Sequence, residues 1–310
     1  MKKKLLFIFN PHSGKGLIRN YLVDIVDTMV KANCDVTIYS TQERADATRK
    51  VIAEGKNYDQ IVCSGGDGTL DEVVTGIIQA DLNLPLGYIP AGSTNDFANS
   101  LGIEKEMQLS CLTSVYGSPF PCDVGQFNED TFVYVAAFGL FTEVSYQTPQ
   151  QLKNIFGHAA YILEGAKHLR DIPSYIMHVE YDNQRIQDEF IYGMVTNSIS
   201  VGGFKGMTGP DVKLDDGEFE VTLIRTPRNP IELNEILACL TNMIDDSDLV
   251  YTFKTRELHI QSKTKVAWTL DGEFGGEHEE VVIKDLQKRI NIMVDLEEAV
   301  KVSENETLTE

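Results

Sequence analysis

The sequence predicts an α/β fold with a parallel sheet in its first third, followed by a strand-rich, mostly antiparallel part. Three observations predict it. Up to about residue 90, short apolar runs alternate with segments of helical period, the pattern of β-α-β units with right-handed crossovers. After about residue 121 the runs become strand-like and are punctuated by Asn128-Glu129-Asp130 and Asp182-Asn183, residues suited to hairpin turns. At roughly 100–200 residues per domain, a chain of 310 residues gives two domains.

Residues 4–9 are a short apolar run, as in a strand buried on both faces. Residues 10–16 form a polar, glycine-bearing turn. A helix over 17–32 follows from Tyr21, Leu22, Ile25, Val26, Met29 and Val30, which share one face at 3.6 residues per turn. Then come a strand over 36–39 and a helix over 46–55, closed by glycine. A strand over 60–64, a glycine loop, a helix over 70–79 and a strand over 86–89 complete the first part. In the second part, 132–137, 175–181, 189–196, 219–224, 265–270, 280–283 and 289–294 read as strands. Residues 150–171 and 230–243 read as helices. A sandwich or a closed sheet would satisfy this pattern. No repeat is evident at a period of 20–50 residues. The acidic, polar stretch 297–310 is expected to fray.

Composition excludes several classes. With 42% hydrophobic and 24% charged residues, the chain is neither disordered nor collagenous nor a pure coiled coil. A net charge of −20 makes it a poor partner for nucleic acid. Overall charge would not draw it to anionic membrane either. No run approaches the ~20 apolar residues of a membrane span. The apolar start at 5–9 runs into Asn10-Pro11, too short for a signal-peptide core. Five cysteines without any C-x-x-C point to a reducing cytoplasm and small buried thiols. Lys2, Lys3 and Lys4, and Lys263 with Lys265, read as solvated surface. The apolar stretch 154–165 reads as core.

Gly65-Gly66-Asp67-Gly68-Thr69 gives the strongest local signal, between a strand and a helix. Glycines let backbone N–H groups approach a ligand, and the helix N-terminus favours phosphate. Asp67 there makes sense as a ligand of Mg²⁺ or water; a tight turn with Asp67 capping the helix would use the same residues. Pro90-Ala91-Gly92-Ser93-Thr94-Asn95-Asp96 follows the next strand, with Asn95 or Asp96 able to cap a helix. Asn10-Pro11-His12-Ser13-Gly14-Lys15-Gly16 follows the first strand. It lacks Walker and dinucleotide spacings. In an open α/β sheet these three loops lie on one edge, where ligands bind, and so would converge on one polyphosphate. Lys213-Leu214-Asp215-Asp216-Gly217 and Asp271-Gly272-Glu273 read alone as hairpin turns, but a kinase needs a base and metal anchors.

Taken in order, these five motifs resemble the signature series of the diacylglycerol kinase catalytic-domain family, closest to the soluble Gram-positive type. The resemblance runs from the first strand to about residue 294. It implies an N-terminal α/β domain like that of NAD kinases and phosphofructokinases, over 1–122 with a returning segment at about 295–310. It also implies a β-sandwich domain over 123–294 carrying lipid and metal residues, with ATP in the cleft between. Asn10, Pro11, His12, Ser13, Gly14, Thr41, Gly65, Gly66, Asp67, Gly68, Thr69, Leu70, Asp71 and Ser93 would bind the nucleotide. Ser93 stands where the family usually has threonine, and the hydroxyl survives. Asp67, Asp96 and Asp215 would form the acidic network around a catalytic Mg²⁺. Asp216, with the carbonyls of Lys213 and Glu218, would hold a structural Mg²⁺, and Glu273 would be the general base. The implied reaction converts ATP and 1,2-diacylglycerol to ADP and phosphatidic acid. A cytoplasmic homodimer with transient contact at the inner membrane face is implied too. Phosphatidylglycerol, a sphingoid base, a polyprenol or NAD remain alternative acceptors, because NAD kinases share the glycine-aspartate loop.

Overall fold

A computed structural model describes residues 2–92, 95–140, 173–201, 204–205, 212–240 and 247–295. Ser93, the helix expected over 150–171, the stretch 154–165 and the tail 297–310 lie outside them. The described part is mixed α/β and rich in strands. The chain divides into two compact units, Met1–Val124 with Gln287–Glu310, and Gly125–Leu286.

The first unit is built on parallel strands β1 (Lys3–Phe9), β2 (Cys34–Ser40), β3 (Gln60–Gly65) and β4 (Pro85–Pro90). β1 lies between β2 and β3, and β3 lies between β1 and β4. Leu5 to Phe9 and the whole of β3 are buried, which explains the unbroken apolar run of β1 and the Ile61-Val62-Cys63 run inside β3. Helix α1 (Ile18–Lys31) turns Ile18, Ile25 and Met29 inward, where they join Phe7, Val62 and Ile89 in one core. Helices α2 (Asp46–Glu54) and α3 (Asp67–Gln79) follow β2 and β3, and α4 (Asp96–Ser100) and α5 (Met107–Tyr116) follow β4. The chain leaves this unit within β5 (Ser118–Phe127).

The second unit opens with β6 (Asp130–Phe132) and β7 (Val135–Gly139), then β8 (Tyr175–Tyr181) and β9 (Gln184–Thr196). After the short pair β10 (Ser200–Val201) and β11 (Phe204–Lys205) come β12 (Phe219–Arg225), α6 (Pro230–Leu240), β13 (Val250–Thr255) and β14 (Glu257–Leu270). Its pairings are antiparallel. β8 and β7 lie end to end between β9 and β14: Tyr175 faces Phe190, and Gly139 faces Tyr192 two residues further along β9. Trp268 centres the core, its ring 5.1 Å from Phe127 and 4.8 Å from Phe138. The last strand, β15 (Glu273–Val294), begins in this unit and ends in the first, where Asn291 and Ile292 pair in parallel with Pro85 and Leu86 of β4.

Three expectations change. The helix expected from residue 70 starts at Asp67, so Asp67 belongs to its first turn and not to the preceding loop. Runs 280–283 and 289–294 are parts of one strand, β15, joined through a polar stretch with a left-handed Lys288. Helix α5 and strands β5 and β13 were not anticipated.

β9 passes close to β7 at Gly193, where an added Cβ would stand 2.1 Å from the Phe138 ring. Overpacking a core of this density costs about 1–3 kcal/mol. We expect Gly193→Ala to lose that much in chemical denaturation. An unchanged midpoint would show that β7 and β9 have room at this position.

Candidate active site

Parallel strands place their carboxyl ends on one edge, and in the first unit three loops meet there. The loop after β1 is tied to β3 by Asn10 N–H donating to the Ser64 carbonyl (2.9 Å) and by Gly66 N–H donating to Ser13 Oγ (3.3 Å). The loop after β4 is tied to β3 by Ala91 N–H donating to the Gly65 carbonyl (2.7 Å). Contact is closest at glycines. A Cβ on Gly14 would lie 1.9 Å from the Ala91 oxygen, and one on Gly92 would lie 2.7 Å from Gly66 Cα. Gly14 also has φ +54°, in the left-handed region that glycine enters without strain.

Tyr88, buried in β4, stitches the second and third loops together. Its hydroxyl lies 3.3 Å from both the Gly65 carbonyl and Asn95 Oδ1. Burial pushes the Tyr88 phenol well up, and the charges of Asp67, Cys63 and Asp96 push it further. Two carboxylates, at the starts of α3 and α4, thus act on one hydroxyl. Asn95 is left-handed and precedes α4, yet its side chain does not cap that helix. Its Oδ1 accepts from Gly92 N–H (2.9 Å), and its Nδ2 donates to the Gly92 carbonyl (3.0 Å). Asp67 does not cap from a preceding loop either, since Gly66 is the N-cap residue. α3 therefore delivers its N-terminus, with its partial positive charge, into the cluster of loops.

Thr41 lies beside the first loop, with its N–H donating to the Phe9 carbonyl at 3.0 Å. The turn it begins is held by two carboxylates. Asp46 accepts from Gln42 N–H (2.8 Å), the Tyr39 hydroxyl (3.0 Å) and Arg49 (3.2 Å). Glu72 of α3 reaches back to accept from Ala45 N–H (2.7 Å) and Ala47 N–H (3.1 Å) at the start of α2. Sequence reasoning missed Glu72. Its place one residue after Asp71 gives no signal, because only the packing of α3 on α2 brings it to those N–H groups.

The remaining expected residues belong to the second unit. Leu214 is buried and anchors the turn that carries Lys213, Asp215 and Asp216. Gly217 closes that turn with φ +83°, and Glu218 N–H donates to Asp216 Oδ1 at 3.2 Å. Asp271 is buried and accepts from three successive N–H groups, those of Val133 (2.6 Å), Tyr134 (2.9 Å) and Val135 (2.9 Å). That grip fixes the β14–β15 turn, and Glu273 follows it, exposed at the head of β15.

Magnesium is commonly held by one or two carboxylates plus substrate phosphates. Among the described residues no three His, Cys, Asp or Glu side chains form a ready cage. Asp67 and Asp96, hard oxygen donors acting on the same Tyr88, fit an ion that arrives with a nucleotide.

A family model for the diacylglycerol kinase catalytic domain matches residues 4–127. A relative called diacylglycerol kinase from Bacillus subtilis (strain 168) is 34% identical over 278 residues, covering 88% of this chain and 91% of its own. One from Staphylococcus haemolyticus (strain JCSC1435) is 35% identical over 279 residues, covering 89% and 84%. The chain belongs to the diacylglycerol kinase family. Its fold is also that of a solved diacylglycerol kinase from Bacillus anthracis str. Sterne, at TM-score 0.75 and 23% identity, with 94% of this chain and 97% of that one covered. A second solved chain from the same organism is 25% identical with TM-score 0.80, again covering 94% and 97%.

The Asp46 carboxyl is held below the ordinary aspartate range, first by Gln42 N–H and then by Tyr39 and Arg49, against the effect of burial. A group lowered on folding contributes stability above its unfolded value, about 4, and loses it as pH falls through the folded value. We expect Asp46→Asn to be less stable near neutrality and to lose less further stability in acid. Parallel wild-type and variant curves of denaturation midpoint against pH would contradict this.

Proposed function

We propose that this chain is an ATP-dependent lipid kinase that phosphorylates the primary hydroxyl of 1,2-diacylglycerol, releasing ADP and phosphatidic acid. The observation that carries the reading is the meeting of three glycine loops with Asp67 and Asp96, in a chain of the diacylglycerol kinase family. Phosphoryl transfer asks mainly for positioning and for stabilisation of charge on the transferred oxygens. Backbone N–H groups at the start of α3 and in the glycine loops do both. Asn10, Pro11, His12, Ser13, Gly14, Thr41, Ser93 and the 65–71 segment hold the nucleotide.

Mg²⁺ bound with ATP would neutralise phosphate charge, with Asp67, Asp96 and Asp215 as its surrounding carboxylates. Asp216, with the carbonyls of Lys213 and Glu218, holds a second ion in this reading. Glu273 accepts the proton of the acceptor hydroxyl as the new P–O bond forms and the bond to ADP breaks. Its exposure leaves its carboxylate accessible to a bulky acceptor, while Asp271 keeps the turn behind it rigid. An NAD kinase-like first domain, a β-sandwich second domain and a nucleotide shared by both complete the proposal. So do a cytoplasmic homodimer and transient contact with the inner membrane face. These rest on the family alone.

Label transfer from ATP to lipids in mixed micelles tests the acceptor. We expect diacylglycerol to be labelled in preference to phosphatidylglycerol, a sphingoid base, a polyprenol or NAD. Preferential labelling of any other acceptor would replace the substrate assignment. Glu273→Gln should bind ATP like the wild type and lose about 10²–10⁴-fold in turnover. Wild-type turnover in that variant would remove Glu273 as the base.

A further inference from the structure

The turn that bears Asp216 already has a cation of its own. β12 and β13 pair with Glu220 directly opposite Lys254. Lys254 Nζ lies 3.0 Å from Glu220 Oε1 and 3.6 Å from Asp216 Oδ2. Two residues on, Arg256 Nε donates to the Gly217 carbonyl at 3.2 Å. Glu220 is buried and Asp216 partly so, so these charges are screened less than an exposed pair.

We propose that Lys254 is the resident counter-ion of the Asp216 turn and competes there with a divalent cation. The inference rests on the reading of Asp216 as a metal ligand. An ammonium and a metal ion seek the same carboxylate oxygen. An ion approaching Asp216 meets like charge until Lys254 moves off Asp216 toward Glu220. Removing the ammonium takes an ion-pair partner from Asp216, which weakens the turn in the absence of metal and strengthens its hold on one.

Thermal unfolding of the full chain in rising MgCl₂, without nucleotide or lipid, tests this. We expect Lys254→Met to melt lower than the wild type without Mg²⁺. Its Mg²⁺-induced rise should set in at a concentration roughly tenfold lower. Lys254→Arg, which keeps the charge, should follow the wild type. Adding Asp216→Asn to Lys254→Met should abolish the rise. Should Lys254→Met fail to fold, Lys254→Met with Glu220→Gln, which also removes the buried carboxyl left beside it, is measured in its place, with the same roughly tenfold shift expected. A rise that sets in at the same Mg²⁺ concentration in the wild type and the charge-removing variant would overturn the competition and leave Asp216 as a ligand. No Mg²⁺ response in either would overturn the ligand reading and the proposal with it.

Discussion

The first unit depends on a close approach of bare backbone. At the carboxyl edge of its sheet, the loops after β1, β3 and β4 come so near that a methyl group on Gly14 or Gly92 would collide with the backbone opposite. Hydrogen bonds from Asn10 and Ala91 to β3 close the same gap. Parallel pairing brings the loops to one edge, and glycine lets them touch. The result is an edge of closely packed glycine backbone beside the N-terminus of α3. Such a surface suits phosphate, whose oxygens need several donors at once.

The two units use carboxylates in a shared way. Asp46, Glu72 and Asp271 each accept two or more hydrogen bonds, at Glu72 and Asp271 from backbone N–H groups and at Asp46 from one such group, Tyr39 and Arg49. Charge-assisted bonds of this kind are roughly twice as strong as neutral ones, and they fix turns that no regular ladder would hold. Each fixed turn adjoins an expected functional residue: Thr41 beside the Asp46 turn, Glu273 two residues after Asp271. The strongly acidic composition, which first argues against nucleic acid and anionic membrane, thus includes carboxylates that serve as internal fasteners.

Much of the first unit was legible because burial on both faces of a parallel strand leaves an unbroken apolar run, as at residues 5–9 and 61–63. The three loops were legible from glycine and hydroxyl residues directly after those runs. Helix α5 was not, because it turns Met107, Ser110, Cys111 and Ser114 inward; small polar residues on the buried face erase the apolar stripe. β15 was read as two strands because Lys284, Asp285, Gln287 and Lys288 interrupt the apolar pattern between them. Glu72, Tyr88 and Lys254 gain their roles from partners 25 to 27, 7 to 23, and 34 to 38 positions away, contacts that local pattern does not encode. The acidic turns were found through the family's motif order, since spacing alone reads each as a hairpin.

Calorimetric titration of ATP into Gly92→Ala, compared with the wild type, tests the loop closure most directly. The added methyl must push the third loop away from Gly66 and from Asn95, while the buried strands behind it stay in place. We expect cooperative unfolding to survive and nucleotide affinity to fall by at least about tenfold, some 1.4 kcal/mol. Wild-type affinity in a folded Gly92→Ala protein would mean that the nucleotide does not depend on the contact between these loops.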